Sequence, residues 1–259
     1  MGETQLLTSR NNSYIKLAAS LKQKKYRDEL KLFLIEGERN CREALEAGLD
    51  IRYAFASEHN NDMLLAHPAL RKTPIFLLPE HLLAVIADTK TPQGLVLIAE
   101  QRFYPLVELT GSRKTVVLLD GLQDPGNVGT ILRTAWAAGV GGVIALPNSA
   151  DLYSPKVVRA AMGALYHLPC AQAVPEQAAA ALKEAGYTLL LADAAGTAFQ
   201  QVQVVPPIAW LFGSEATGPT PFWRQGQGNP VAIPMAEGVD SLNVAVAAGI
   251  LLFSPIGKK

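Results

Sequence analysis

Three short segments rich in glycine and polar residues hold the side chains best able to do chemistry. The first, Asp124-Pro125-Gly126-Asn127-Val128-Gly129-Thr130-Ile131-Leu132-Arg133, sets Gly129 and Arg133 four residues apart. On a helix that spacing puts both on one face, a bare stretch of backbone beside one guanidinium. Such a group keeps its proton and is a poor general base. Asn127 reads as the cap of this helix. The second segment, Leu211-Phe212-Gly213-Ser214-Glu215-Ala216-Thr217-Gly218-Pro219, is a strand emptying into a glycine-bounded loop with a single carboxylate. The third begins at Ile233-Pro234-Met235 and continues as Val239-Asp240-Ser241-Leu242-Asn243-Val244, where polar residues cap a helix of small residues. Taken singly, these are a solvent-reaching arginine, a turn and an N-cap. Together they need another explanation.

Elements that would position these segments alternate along the chain. Thr115–Asp120 is nearly all apolar, as in a parallel strand covered on both faces. A helix follows, then strands over 142–146, 187–192, 208–213 and 231–234. Ser154-Pro155 opens a further helix, and the last helix runs from Ser241 to Phe253. This rhythm predicts an α/β fold with an open parallel sheet, helices on both faces and a ligand at the carboxyl ends of the strands. Ahead of it the pattern gives a smaller α/β domain. Its elements are a helix over 13–25, strands at 32–35, 53–56, 75–78 and 95–99, and helices over 38–47 and 80–87. Residues 1–103 form the first domain, 104–114 with Pro105 and Gly111 a linker, and 115–259 the second.

Other chemistries are poorly supported. Gly139, Gly141 and Gly142 end a helix and enter a strand, the reverse of a dinucleotide fingerprint, and Ile144 stands where its third glycine belongs; no GxxxxGK[ST] occurs either. His59, His67, His81 and His167 are scattered without an acidic cluster, so no metal is expected. Cys41 and Cys170 form no CxxC pair and fit a reducing cytoplasm. No apolar run is long enough to span a membrane, and the first twelve residues lack the apolar stretch of a signal peptide.

The 259 residues carry 23 basic and 23 acidic side chains, a zero sum that hides a local excess. Between Arg10 and Lys31 seven basic residues face two acidic ones, whereas the 146 residues from Lys114 onward hold 8 basic and 9 acidic. A basic front cluster of this kind suits a phosphate-bearing partner, although a solvated helix face has the same composition.

The three segments, in this order, closely resemble the signature motifs of the SpoU (TrmH-like) RNA methyltransferases of the SPOUT superfamily: NxGxxxR, GSEGxG, and IPM followed by SLNVxxAxxI. Ser154-Pro155-Lys156-Val157-Val158-Arg159 through Gly163-Ala164 is similar to the helix between the family's first and second motifs. In the front domain Asn12, Ile15-Lys16, Phe33-Leu34-Ile35-Glu36-Gly37 and Thr91-Pro92-Gln93-Gly94 resemble the L30e-like substrate-binding domain found ahead of many such enzymes. One departure is Ala216, where the family commonly has glycine; alanine fits there only with a negative φ.

The resemblance implies methyl transfer from S-adenosyl-L-methionine to a ribose 2′-hydroxyl of RNA, ribosomal rather than transfer RNA, by a catalytic domain holding a deep trefoil knot. Arg133 would act on the hydroxyl or its alkoxide, Asn127 and Glu215 would orient Arg133, and Ser241 and Asn243 would position the ribose. Gly213, Ile233 and Leu242 would hold the cofactor. In the front domain Lys16, Lys22, Lys24, Lys25 and Arg27 would contact RNA phosphates. Homodimers are expected, with the apolar end Ile250-Leu251-Leu252-Phe253 at the interface. The alternatives are a tRNA 2′-O-methyltransferase, an enzyme protecting a ribosomal antibiotic site, and a non-catalytic RNA-binding protein on the same fold.

Overall fold

The computed structural model describes residues 4–57, 67–89 and 91–254; the first three residues and His59 lie outside them. The chain forms two compact units. One comprises the chain up to Gln101 together with Tyr153–Tyr166, the other Arg102–Leu152 and the chain from His167 onward.

In the first unit strands β1 (Thr4–Leu6), β2 (Leu32–Glu36), β3 (Ile51–Ser57), β4 (Ile75–Leu78) and β5 (Leu95–Glu100) lie in the order β1-β4-β3-β5-β2. β1, β3 and β4 run parallel, and β5 is antiparallel to both of its neighbours. Ile15, Ala18, Leu21, Phe55, Phe76 and Ile98 pack as the core on one side of this sheet. The helix expected over 13–25 is broken in two, α1 (Ser13–Ser20) and α2 (Lys24–Leu30). Arg27 explains the break. Its Nη1 donates to the carbonyls of Leu21 and Lys22 at 2.7 and 2.8 Å, satisfying acceptors that a continuous helix would have paired internally. α3 (Glu38–Glu46) and α4 (Glu80–Ile86) complete this part. Phe33 of β2 is fully buried, with its ring 4.6 Å from that of Tyr153 and 6.5 Å from that of Tyr166.

The second unit begins earlier than expected. The stretch read as a linker is folded: α5 (Leu106–Gly111) buries Leu109 in the core, and Tyr104 N donates to Cys170 O at 2.8 Å. Its sheet is wholly parallel, with β6 (Val116–Asp120), β7 (Gly142–Ala145), β8 (Cys170–Gln172), β9 (Thr188–Ala198), β10 (Ile208–Gly213) and β11 (Asn229–Ala232) in the order β11-β9-β10-β6-β7-β8. All five residues of β6 are buried, as its apolar run requires. The strand order changes direction between β6 and its neighbour β10, and a crevice opens at the carboxyl ends of two such strands. The first two segments leave from those ends. The third follows β11, which stops at Ala232, so that Ile233 and Pro234 lie past the strand. The helices are α6 (Pro125–Ala137), α7 (Pro155–Ala161), α8 (Ala164–His167), α9 (Pro175–Glu184), α10 (Pro221–Arg224) and α11 (Val244–Phe253). α7 and most of α8 belong to the first unit, the others to the second. β8 and α9 are not among the expected elements, although Pro175, the alanine run and Gly186 mark α9 as a helix in the sequence.

Candidate functional site

Helix α6 is capped differently from the expectation. Asp124 is its N-cap, with Pro125 in the first turn, and the Asp124 carboxylate accepts from Asn127 N at 2.8 Å. Asn127 therefore lies inside the first turn with its side chain free for other work. Its Nδ2 donates to Glu215 Oε1 at 2.6 Å, and its Oδ1 accepts from Asn243 Nδ2 at 3.0 Å. Asn243 Nδ2 also reaches Glu215 Oε1 at 3.0 Å. Asn243 is itself the cap of α11, its Oδ1 accepting from Ala245 N and Val246 N at 3.0 and 3.3 Å. One residue from each segment thus closes a triangle around a single carboxylate oxygen, while Glu215 Oε2 makes no hydrogen bond among the described residues.

The loop carrying Glu215 is narrow. Ser214 and Gly218 pair as an antiparallel bridge, Gly218 N donates to Ser214 O at 2.7 Å, and Thr217 N donates to Ser214 Oγ at 3.2 Å. A Cβ on Gly213 would stand 2.1 Å from the carbonyl carbon of Gly218 and 2.2 Å from Pro219 N, so only glycine fits. Ala216 is not among the residues with positive φ, which is the condition for alanine at that place. At the base, the buried Asp120 at the end of β6 accepts from Thr220 N at 2.7 Å and ties the loop to the central strand.

Two cavities share this loop. One, of about 310 Å³, has Gly213, Ile233, Met235, Ser241 and Leu242 in its walls. The three residues expected to hold cofactor therefore meet there, joined by Ser241, whose hydroxyl makes no hydrogen bond among the described residues. The other, about 600 Å³, is bordered by Asp120, Asp124, Asn127 and Asn148. Ser214, Glu215, Ala216 and Thr217 line both, so the triangle stands where the two adjoin. The first cavity also holds an ion pair outside the expected site residues, Arg224 Nε to Asp193 Oδ2 at 3.0 Å. Asp193 follows the apolar run Leu189–Ala192, and a carboxylate just beyond such a run is the signal that could have found it.

Arg133 is not held by Asn127 and Glu215, which bond instead to each other and to Asn243. It is exposed on α6, roughly 9 Å along the axis from Asn127 at 1.5 Å per residue, and makes no hydrogen bond or ion pair among the described residues. The basic front cluster is also sorted. Lys16, Lys24 and Lys25 are exposed, although Lys24 pairs with Asp28, and Lys25 sits over the Tyr26 ring at 5.7 Å. Lys22 Nζ donates to Val85 O at 2.7 Å. Arg27 is 3% exposed and spends its guanidinium on main-chain carbonyls, so it is a structural residue and not a phosphate contact. No cluster of His, Cys, Asp and Glu able to hold a metal, and no helix long and apolar enough to cross a membrane, occurs among the described residues.

Residues 114–253 match the SpoU rRNA Methylase family, and residues 12–97 match the MRM3-like substrate binding domain. Among curated proteins, the 23S rRNA (guanosine(2553)-2'-O)-methyltransferase RlmP of Bacillus subtilis (strain 168) is 30% identical over 254 residues, covering 95% of this chain and 97% of its own. Among solved structures, the AdoMet-bound rRNA methyltransferase of Sinorhizobium meliloti superposes with a TM-score of 0.87 at 33% identity, covering 97% of both chains. The SpoU methyltransferase AviRb of Streptomyces viridochromogenes, in complex with AdoMet, gives 0.84 at 28%, covering 94% of this chain and 96% of that one. With its three segments gathered at the ends of β6, β10 and β11, the chain belongs to the SpoU rRNA methylase family.

Proposed function

We propose that this chain transfers the methyl group of S-adenosylmethionine to a ribose 2′-hydroxyl of ribosomal RNA. The observation that carries the reading is the Asn127–Glu215–Asn243 triangle, standing where the cavity of Gly213, Ile233 and Leu242 meets the open cleft. Relatives named for 2′-O-methylation of 23S rRNA support the choice of ribosomal RNA.

The smaller cavity fits the cofactor in its chemistry. Ile233, Met235 and Leu242 give apolar walls for a flat heterocycle, and Gly213 brings bare backbone to its edge. When bound, the cofactor supplies a methyl group activated on a sulfonium. The residues of this chain do the remainder. Glu215, fixed by two amide donors on Oε1, offers Oε2 to a ribose hydroxyl in the cleft. Ser241 and Asn243 set the other side of that ribose. As the hydroxyl passes its proton to Glu215 Oε2, Arg133 holds an RNA phosphate and stabilises the developing alkoxide, the role a permanently charged guanidinium can fill. Lys16, Lys24 and Lys25 of the first unit supply sequence-independent contacts to phosphates.

The active form in this proposal is a homodimer with the family's trefoil knot in the second unit. Val246, Ile250 and Phe253 share one face of α11 and are 53%, 37% and 57% exposed, and Trp136 of the adjoining α6 is 41% exposed. A second copy would cover them. A cytoplasmic setting agrees with the two free, buried thiols. Calorimetry with S-adenosylmethionine tests the enzyme against a non-catalytic RNA-binding protein, which need not bind it.

A further inference from the structure

The first unit holds another cavity, about 280 Å³, that methyl transfer does not use. Glu36, Asn40 and Glu43 line it from β2 and α3, and Arg159 of α7 closes it, with the exposed Arg39 and Met162 at its edge. Two buried donors in its walls, Asn40 Nδ2 and Arg159 Nη1, have no hydrogen-bond partner among the described residues. Both side chains are nevertheless held in place. The Tyr166 hydroxyl donates to Asn40 Oδ1 at 2.8 Å, and Arg159 Nη2 pairs with Asp88 Oδ2 at 2.8 Å. Glu36 cannot serve Nη1: its Oε2 is 3.8 Å away, and the carboxylate is engaged by the amides of Asp88 and Thr89 and by the Thr89 hydroxyl. Buried donors left unpaired are costly, and a ligand that brought acceptors would remove that cost.

We propose that this cavity takes an unpaired guanine of the RNA substrate; the proposal rests on the reading of the chain as an RNA enzyme. Three carboxylates, Glu36, Glu43 and Asp88, against two guanidiniums, Arg39 and Arg159, disfavour a phosphate. A cation would leave the two donors unpaired. A neutral group with acceptors for Asn40 and Arg159 pairs both donors without adding charge. Of the two purines only guanine sets two acceptors side by side, N7 and O6. Single-stranded RNA presents such splayed bases to proteins. Met162, 40% exposed, offers a polarisable thioether for the ring to lie against.

The test is saturation-transfer NMR on the full chain with the four ribonucleosides, with S-adenosylhomocysteine saturating so that the cofactor cavity is closed to them. Guanosine should bind about tenfold tighter than adenosine, cytidine or uridine, and 7-deazaguanosine, which lacks the N7 acceptor, should lose about tenfold. Asn40→Asp keeps the acceptor for Tyr166 but removes the donor. It should weaken guanosine by a similar factor, with S-adenosylhomocysteine affinity unchanged. Equal binding of the four nucleosides, or guanosine binding indifferent both to Asn40→Asp and to loss of N7, would overturn the proposal. Failure of S-adenosylhomocysteine to bind would count against the enzyme reading alone, since guanosine selectivity is read separately.

Discussion

The side-chain amide of Asn127 donates to the carboxylate of Glu215 at 2.6 Å, although the two residues lie 88 positions apart. This bond joins the loop after β6 to the loop after β10, and Asn243 adds the loop before α11 to the same oxygen. Its consequence is a separable pair of variants. Asn243→Ala removes both the amide donor and the cap of α11, and should cost about 0.5–2 kcal/mol of stability as well as activity. Asn243→Asp keeps an oxygen for capping but sets a carboxylate against Glu215. It should hold most of the melting temperature and still lose methyl transfer. Thermal melts beside initial rates check this; an active Asn243→Asp variant would separate the triangle from catalysis.

Gly213→Ala should be among the most damaging small substitutions in the second unit. Its Cβ would meet backbone at 2.1 Å, which no rotamer change relieves. Overpacking of this kind costs about 1–3 kcal/mol, and the Ser214–Gly218 hairpin would move with it. Calorimetric affinity for S-adenosylhomocysteine should fall by more than about tenfold, in line with that energy.

The front basic residues should divide into two behaviours. Replacing Lys16, Lys24 and Lys25 by alanine should lower the slope of log affinity against log salt by about 2–3 with RNA and leave melting nearly unchanged. Arg27→Ala should do the reverse. It leaves the Leu21 and Lys22 carbonyls without their donor, at about 1–3 kcal/mol for each group left unsatisfied.

Neither cysteine should react in the folded protein. Burial pushes the Cys170 thiol up to about 12, and burial, together with nearby Glu36, pushes Cys41 higher still. A raised thiol pKa leaves almost no thiolate at neutral or mildly alkaline pH, and the thiolate is the reactive form. Titration with a thiol reagent at pH 8 should find no rapid equivalents until denaturant is added.

Much of this was legible in the residues. The apolar run of β6 announced a parallel strand covered on both faces, and the three segments were identifiable by type and order before any fold existed. What the sequence left open was competition between neighbours. Both Asp124 and Asn127 are good caps for α6, and only the folded chain shows Asp124 taking that place and freeing Asn127 for Glu215. Arg27 sat in a basic run and read as surface. Nothing local reveals that its guanidinium turns inward to end α1. Likewise the stretch at 104–114 has a linker's proline and glycine, yet Leu109 finds a core to fill. In each case long-range packing decided what local chemistry left undecided.

The most direct measurement is transfer of tritium from [methyl-3H]S-adenosylmethionine to ribosomal RNA, with the product mapped for 2′-O-methyl ribose, for the wild-type chain and Arg133→Ala. The account predicts label at a ribose 2′-oxygen for the wild type. For Arg133→Ala it predicts a rate lower by about 10²–10³, as for loss of a donor to a developing oxyanion, with cofactor affinity unchanged. Label on a base, an Arg133→Ala variant that transfers at the wild-type rate, or one that no longer binds the cofactor would contradict it.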